Sequence, residues 1–280
     1  MKDDYARQQY QQIKKFVEGT NASTSPIIPI SAQLKYNIDV GIQYLCKLPI
    51  PKRDFVSPPR FIVVRSFDIN KPGTESKNLK GGVAGGTLIR GILKVGEVVE
   101  IKPGIIEINN QNGKKKIIPI VSRIVSLKAE ENDLIYCIPG GLIGVGLKID
   151  PFLTRGDRLV GRILGHPGKL PNIFSKIDVR CHLFRRLLGV REKHGNKNLE
   201  HVSETRLQEV LLLNVGSTSV GGKVIKISGE NEDENYFELL NPVSAEIGEK
   251  IAISRKIEKS WRLIGWGEVL RGEIMESEDD

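Results

Sequence analysis

The stretch that decides the fold runs from Asn78 to Gly104 and reads NLKGGVAGGTLIRGILKVGEVVEIKPG. Its glycines suggest either a phosphate-binding loop or the punctuation of β-strands. A loop of the G-x-x-x-x-G-K-[ST] type needs its lysine to reach the phosphates, and Thr87 stands in that place here. A dinucleotide loop needs a helix directly after it, whereas TLIRGILKVGEVVEI alternates as strands do. We therefore interpret the stretch as part of a β-barrel, in which glycines allow tight bends and close backbone approach.

The same pattern of short strands and glycine or proline turns continues along most of the chain. Evenly spaced short strands of this kind are typical of closed barrels. Upstream, the sequence predicts a helix over 3–18, a short strand over 26–30 and a second helix that is capped by Asn37. The predicted fold class is mainly β, with two consecutive β-barrels preceded by a small α/β segment. The predicted divisions are the α/β segment at 1–50, the first barrel at 51–173, the second barrel at 174–275 and an acidic tail at 276–280.

The net charge of +8 is concentrated in the first predicted barrel. Residues 51–173 carry 20 basic and 11 acidic side chains, whereas residues 174–275 carry 16 and 15. A one-sided basic domain favours a polyanionic partner such as RNA. An ordinary solvated surface explains the same charge equally well, so the charge alone does not decide between the two.

Several classes of protein are excluded by what the sequence lacks. Three cysteines, odd in number and far apart, predict a reduced cytosolic protein without a disulfide framework. The four histidines have no metal-ligand spacing, so no metal is expected. No apolar run reaches the roughly 18 residues that a membrane helix needs, and the polar N-terminus does not resemble a signal peptide. Ser217 and Ser219 lie in a glycine-rich turn without a nucleophile elbow, so no catalytic residue is predicted.

Five strings carry a resemblance to a known family: GGVAGGTLIRGILKVGEVVEIKPG, IVSL, PGGLIGVGLKIDP, RRLLGV and WRLIGWG, in this order. Together they resemble the gamma subunit of translation initiation factor 2, which belongs to the elongation-factor-Tu-like GTPases. The likeness runs from about Gln11 to Arg271. It implies a GTPase domain followed by two β-barrels of the elongation-factor-Tu type, so residues 1–50 are interpreted as the end of a GTPase domain.

The resemblance also implies which nucleotide chemistry this chain retains. Ser31, Ala32 and Gln33 are similar to the last GTPase motif, whose backbone helps to hold guanine. The phosphate loop, D-x-x-G and N-K-x-D are all absent from the sequence. GTP and Mg²⁺ are therefore expected as cofactors of the full-length protein, which is expected to be a GTPase. This chain alone is predicted to bind no cofactor and to hydrolyse no GTP.

In the family, the methionylated initiator tRNA is carried to the small ribosomal subunit, with its aminoacylated CCA end between the GTPase domain and the first barrel. A single-stranded 3′ end is recognised by stacking, hydrogen bonds and phosphate contacts. The first barrel offers an aromatic ring, three cations and bare glycine backbone for this purpose. The residues predicted to bind tRNA are Arg65, Phe67, Lys80, Gly81, Gly82, Val83 and Lys128. A core role for Phe67 and solvated charge for the cations are the ordinary alternatives.

Two protein partners follow from the same resemblance. The alpha subunit of the factor is expected to dock on the hairpin KPGIIEINNQNGKKKIIP, through Lys114, Lys115 and Lys116. A solvated charge run that resists edge pairing explains these lysines about as well. The beta subunit is expected to bind the GTPase domain. A further basic cluster around RRLLGV, formed by Arg185, Arg186, Arg191 and Lys193, could face RNA or only solvent.

Three functional interpretations therefore stay open at this point. The chain is a binding platform for initiator tRNA and the alpha subunit, or part of a GTPase whose nucleotide site comes from other residues. The third interpretation is an elongation-factor-like relative that delivers other aminoacyl-tRNAs. In each case a cytoplasmic protein of translation is expected.

Overall fold

The computed structural model describes residues 3–108, 115–184, 202–228, 233–257 and 259–275. The chain divides into two compact units, Met1–Lys52 and Arg53–Asp280. The first unit contains helix α1, Asp3–Val17, and helix α2, Ile38–Cys46. None of the helices in the described ranges is long and apolar enough to cross a membrane.

The short strand predicted over 26–30 does not form, which corrects the sequence-based prediction. That stretch has no regular structure, and only an isolated bridge joins Ser31 to Tyr36. A single strand has no neighbour to share its hydrogen bonds in this unit, so alternation alone does not make it a strand. Asn37 stands before α2 as predicted, but its side chain donates to the Pro29 carbonyl at 3.0 Å and does not cap the helix.

The second unit holds two barrels, which confirms the predicted mainly-β class. Strands β1 to β9 belong to the first barrel and its attachments, and β10 to β15 form the second. The strands of the first are β1 Arg60–Phe67, β2 Val83–Arg90, β3 Leu93–Lys94, β4 Val98–Ile108, β5 Lys115–Ala129, β6 Asn132–Leu134, β7 Tyr136–Cys137, β8 Ile143–Leu147 and β9 Ile163–Gly165. Those of the second are β10 Ile173–Leu183, β11 Val210–Val215, β12 Thr218–Ser228, β13 Glu234–Ser244, β14 Lys250–Ile257 and β15 Ser260–Ile274.

Both barrels close through antiparallel pairing of six strands. The first has the order β4-β9-β1-β2-β8-β5 and closes because β5 also pairs with β4, while β6 extends β5 at its edge. The second has the order β10-β13-β12-β11-β14-β15. Alternation fills each interior with apolar side chains. Phe61 and Ile101 are fully buried in the first barrel, and Phe237 and Ile177 in the second.

The two barrels are joined by buried polar contacts. Arg60, at the start of β1, donates to both carboxylate oxygens of Glu249 at 2.9 and 2.8 Å, and lies 3.2 Å from a carboxylate oxygen of Glu246. The Ser217 hydroxyl donates to the Val63 carbonyl at 2.8 Å. These contacts tie the first strand of one barrel to the loops of the other.

Two of the three cysteines are buried, one in each barrel, and this gives a chemical prediction. Burial raises the pKa of both Cys137 and Cys181 to about 11, whereas Cys46 is exposed. The thiolate is the reactive species, so we expect iodoacetamide at pH 8 to modify Cys46 alone in the folded protein. Mass spectrometry of the labelled peptides measures this.

The same raised pKa values fix the direction of a pH effect on stability. The folded state holds each proton more tightly than the unfolded chain, whose thiols titrate near 8.5. The stabilising contribution is therefore complete below about pH 8.5 and is lost as the pH rises through about 11. Labelling of Cys137 at pH 8 before any unfolding would contradict the raised pKa on which both predictions depend.

Candidate functional site

A groove of about 1000 Å³ lies on the first barrel, across the outer face of neighbouring strands. The strand register aligns four residues side by side, one from each of β1, β2, β8 and β5. Arg65 pairs with Gly85, Gly85 with Gly144, and Gly144 with Lys128. Two cations therefore stand on either side of two glycines. Because adjacent strands lie about 4.8 Å apart, the two outer backbones of this row are separated by roughly 14 Å.

The floor of the groove at these two glycines is bare backbone. A Cβ atom added at Gly85 would approach no other atom closer than 3.7 Å, and one added at Gly144 none closer than 3.8 Å. Neither glycine has a positive φ. The chain therefore has no internal packing reason for glycine at these two positions. Their effect is to keep open a space that a flat ligand can enter.

The walls of the groove combine apolar and charged side chains. Phe67 is 45% exposed and Leu142 is 78% exposed, and both line the groove. Arg65 donates through Nε to Asp157 at 3.0 Å, and Lys128 donates to Asp133 at 2.8 Å. All four charged side chains are well exposed. Such ion pairs contribute about 1 kcal/mol or less, so an anionic ligand can replace the carboxylates at small cost.

Asp157 also accepts a hydrogen bond from the backbone of the residue that follows Arg65. Its carboxylate accepts a hydrogen bond from the Ser66 backbone at 2.8 Å, and this bond, followed by the one from Arg65, lowers the pKa of the carboxyl. The residue itself has a positive φ of 61°. The ionised carboxylate therefore holds the Arg65 guanidinium at the side of the groove across the neutral pH range.

The structure brings four of the seven residues predicted for tRNA binding together in this groove: Arg65, Phe67, Val83 and Lys128. The other three do not line it. Lys80 exchanges backbone hydrogen bonds with the Asn70 side chain. A Cβ at Gly81 would lie 1.8 Å from the Leu147 carbonyl oxygen, and one at Gly82 would lie 2.1 Å from the Thr154 hydroxyl.

The glycines at 81 and 82 are thus required by packing inside the barrel, not by an open ligand space beside them. Gly85 and Gly144 do face the groove, although neither was predicted as a site residue from the sequence. The glycine-rich string PGGLIGVGL pointed to that region, but only the strand pairing identifies which of its glycines lie opposite Lys128.

The residues predicted for alpha-subunit docking are only partly described. Lys114 lies outside the described residues, as do the acidic tail and the basic cluster around RRLLGV. Lys115 donates through Nζ to the Leu240 carbonyl of β13, so this end of the β4–β5 hairpin contacts the second barrel. Lys116 pairs with Glu107 across the hairpin register.

The predicted guanine-binding residues lie in the first unit. Ser31 begins a turn in which its backbone pairs with Tyr36 and its hydroxyl accepts from the Leu34 amide at 3.3 Å. Ala32 and Gln33 follow inside this turn. Among the described residues, no group of three or more His, Cys, Asp and Glu side chains is arranged to hold a metal ion.

Comparison with solved structures gives elongation factors of the same fold. The chain resembles the elongation factor SelB from Methanococcus maripaludis, crystallised with the GTP analogue GPPNHP, with a TM-score of 0.70 and 20% identity. That match covers 98% of this chain and 57% of the SelB chain. A bacterial selenocysteine-specific elongation factor gives a TM-score of 0.69 at 16% identity, covering 98% of this chain and 38% of the other. At these identities the likeness concerns the fold.

Comparison by sequence is far more specific. The model of the family "Initiation factor eIF2 gamma, C terminal" matches residues 175–269. The chain is 53% identical over 276 residues to eukaryotic translation initiation factor 2 subunit 3 of Drosophila melanogaster, covering 98% of this chain and 57% of that protein. It is 50% identical over 276 residues to eukaryotic translation initiation factor 2 subunit gamma of Schizosaccharomyces pombe, covering 98% of this chain and 60% of that protein. The chain thus spans a little over half the length of these relatives, and it belongs to the family of initiation factor eIF2 gamma.

Proposed function

We propose that this chain acts in translation initiation in the cytoplasm, by binding the aminoacylated 3′ end of initiator tRNA in the groove of the first barrel. The observation that carries the proposal is the aligned row of Arg65, Gly85, Gly144 and Lys128. Membership of the eIF2 gamma family supports the same role. Delivery to the small ribosomal subunit is part of this proposal.

The groove suits a single-stranded 3′ end for three physical reasons. Bare backbone at Gly85 and Gly144 leaves room for a flat base to lie against the sheet. The half-exposed ring of Phe67 offers a stacking surface, which is worth about 1–3 kcal/mol per base. The cations at either side can exchange their exposed carboxylate partners for phosphates, with which they form charge-assisted hydrogen bonds of the same kind.

The proposed assembly includes the alpha and beta subunits of the factor. We place the alpha subunit at the β4–β5 hairpin, where Lys115 and Lys116 are described. Lys115 already contacts the second barrel, so docking there would involve both barrels. No residue of this chain is assigned to the beta subunit.

GTP and Mg²⁺ are proposed as cofactors of the full-length protein only. Ser31, Ala32 and Gln33 would hold guanine through their backbone. The 280 residues contain no phosphate loop, D-x-x-G or N-K-x-D sequence. This chain by itself therefore lacks the residues that would bind the phosphates of GTP and the Mg²⁺ ion.

The groove is tested most directly by Gly144→Ala. The new methyl group has room within the protein and projects into the groove, so we expect binding of a methionylated initiator tRNA to weaken about tenfold, equivalent to 1.4 kcal/mol. Fluorescence anisotropy with 3′-labelled tRNA measures the affinity. Lys128→Gln should also weaken binding and reduce the salt dependence, by about 0.7 in the slope of log K against log salt for a single-stranded contact.

The matched control is Gly41→Ala in α2, where an added Cβ likewise has room and meets nothing within 4 Å. Its affinity for tRNA should equal that of the unmodified chain. Equal binding by the Gly144→Ala and Gly41→Ala chains would remove the groove from the proposal. Equal affinity for initiator and elongator tRNAs would instead favour the elongation-factor-like alternative.

A further inference from the structure

A second, smaller cavity of about 300 Å³ lies on the outer face of the second barrel, far along the chain from the groove. It spans four neighbouring strands, β12, β13, β10 and β15. The register again aligns one residue from each: Lys226 pairs with Tyr236, Tyr236 with Asp178, and Asp178 with Arg271. All four side chains line the cavity.

The centre of this row is a carboxylate whose hydrogen bonding is incomplete. The Asp178 side chain is only 6% exposed, and its Oδ2 accepts from Arg271 Nε at 2.9 Å. Its other oxygen, Oδ1, is buried and has no hydrogen-bond partner among the described residues. Buried polar atoms in native proteins are almost always paired, and leaving an ionised oxygen without a donor is costly. The cavity in front of Asp178 is where a missing donor would enter.

The rim of the cavity carries cations that can meet an anion. Lys226 is exposed and has no ion-pair partner within the part of the chain that the structure describes. The Arg271 side chain is 78% exposed while its Nε holds Asp178, so its terminal nitrogens face outwards. Among the described residues that line the cavity, Glu273 is the one acidic group besides Asp178, and it is already paired with Lys176 at 2.7 Å.

We propose that this cavity binds a ribonucleotide, whose 2′-hydroxyl donates to Asp178 Oδ1 and whose phosphate lies between Lys226 and Arg271. Carboxylates that accept from ribose hydroxyls are a recurrent element of nucleotide recognition, and lysine and arginine are the usual phosphate partners. Tyr236, between Lys226 and Asp178, presents a ring on which the base can stack. The proposal concerns a different barrel from the tRNA groove and does not rest on it.

A basic side chain of a protein partner is the competing occupant, and the charges argue against it. A guanidinium or ammonium group would satisfy Asp178 Oδ1 but would also stand within about one or two strand spacings of Lys226 and Arg271. Like charges at that distance repel. A nucleotide supplies a donor for the carboxylate and an anion for the cations within one small ligand.

The test uses the 280-residue chain with Gly144→Ala, which weakens binding in the groove, so that the binding lost with Asp178→Asn or Lys226→Gln reports the second cavity. Titration calorimetry compares adenosine 5′-monophosphate, its 2′-deoxy form, and the RNA and DNA forms of a hexa-adenylate. We expect the ribose forms to bind about tenfold more tightly than the deoxy forms, because the deoxy forms leave Asp178 Oδ1 unpaired. Asp178→Asn should remove this preference.

A second variant, at an exposed position, distinguishes a loss of binding from a loss of the fold. Lys226→Gln changes an exposed side chain and should weaken binding about fivefold or more, whereas Lys256→Gln, on β14 of the same barrel, should not. Binding of the free nucleotide and the oligonucleotide alike would assign the cavity to a mononucleotide, and binding of the oligonucleotide alone to an RNA strand. Binding of neither, equal affinity for ribose and deoxy forms, or binding of tri-arginine instead would overturn the proposal.

Discussion

Gly86→Ala is expected to destabilise the first barrel by about 3 kcal/mol, whereas Gly85→Ala, one residue earlier on β2, should change its stability by less than about 1 kcal/mol. A Cβ at Gly86 would lie 1.9 Å from the Ile62 carbonyl oxygen and 3.0 Å from the Phe61 ring. Backbone would have to move to accept it. At Gly85 the nearest atom is 3.7 Å away, and the added methyl group reduces the entropy of the unfolded chain.

This pair separates two reasons for glycine on one strand. Urea unfolding of the two variants, followed by circular dichroism, gives the difference in the free energy of unfolding. The tRNA affinity provides the reciprocal readout, because Gly85→Ala should weaken binding while leaving the fold intact. Similar losses of stability in both variants would contradict the conclusion that a side chain has room at Gly85 but not at Gly86.

The barrel architecture was predictable because it depends on local sequence patterns, namely short strand-like stretches that are separated by glycine and proline turns. The stretch TLIRGILKVGEVVEI, from which the barrel was predicted, contributes to β2, β3 and β4, and glycines lie in the turns between these strands. The strand at EVVEI was predicted too short: β4 continues from Val98 to Ile108 through Pro103 and Gly104. A register shift between Ile101 and Ile105 accommodates them, as bulges in strands commonly do.

The site was only half predictable, because it depends on which strands become neighbours. Arg65, Phe67 and Lys128 could be named from the sequence, since each is visible on its own strand, and the structure brings them to one groove. Their relation to Gly144 depends on pairings between β2 and β8 and between β5 and β8. A shift of one residue in either register would turn a different face outwards.

Buried charges between the barrels were beyond sequence reasoning for the same reason. Arg60 reads as the first residue of a strand, and Glu246 and Glu249 read as a polar loop. Only the packing of one barrel on the other brings them together, 189 residues apart in the case of Glu249. Once buried, these charges become some of the most sensitive positions in the chain.

Arg60→Ala is expected to lower the free energy of unfolding by about 3–5 kcal/mol, because it leaves the buried Glu249 carboxylate without its counter-ion. The Arg60 and Glu249 side chains are only 10% and 13% exposed, so water cannot replace the lost partner. Arg90 still pairs with Glu246, and Glu249 bears most of the loss. We expect calorimetry to show a lower melting temperature and separate melting of the two barrels.

The matched control for this loss is Arg65→Ala, which breaks an ion pair whose side chains are 72% and 41% exposed. It should cost less than about 1 kcal/mol and leave a single transition. A double variant, Arg60→Ala with Glu249→Gln, removes the uncompensated charge and should recover part of the stability lost by Arg60→Ala. Equal effects of Arg60→Ala and Arg65→Ala would mean that the carboxylates of Glu246 and Glu249 reach solvent, and that the barrels are held together by the Ser217 and Thr218 hydrogen bonds instead.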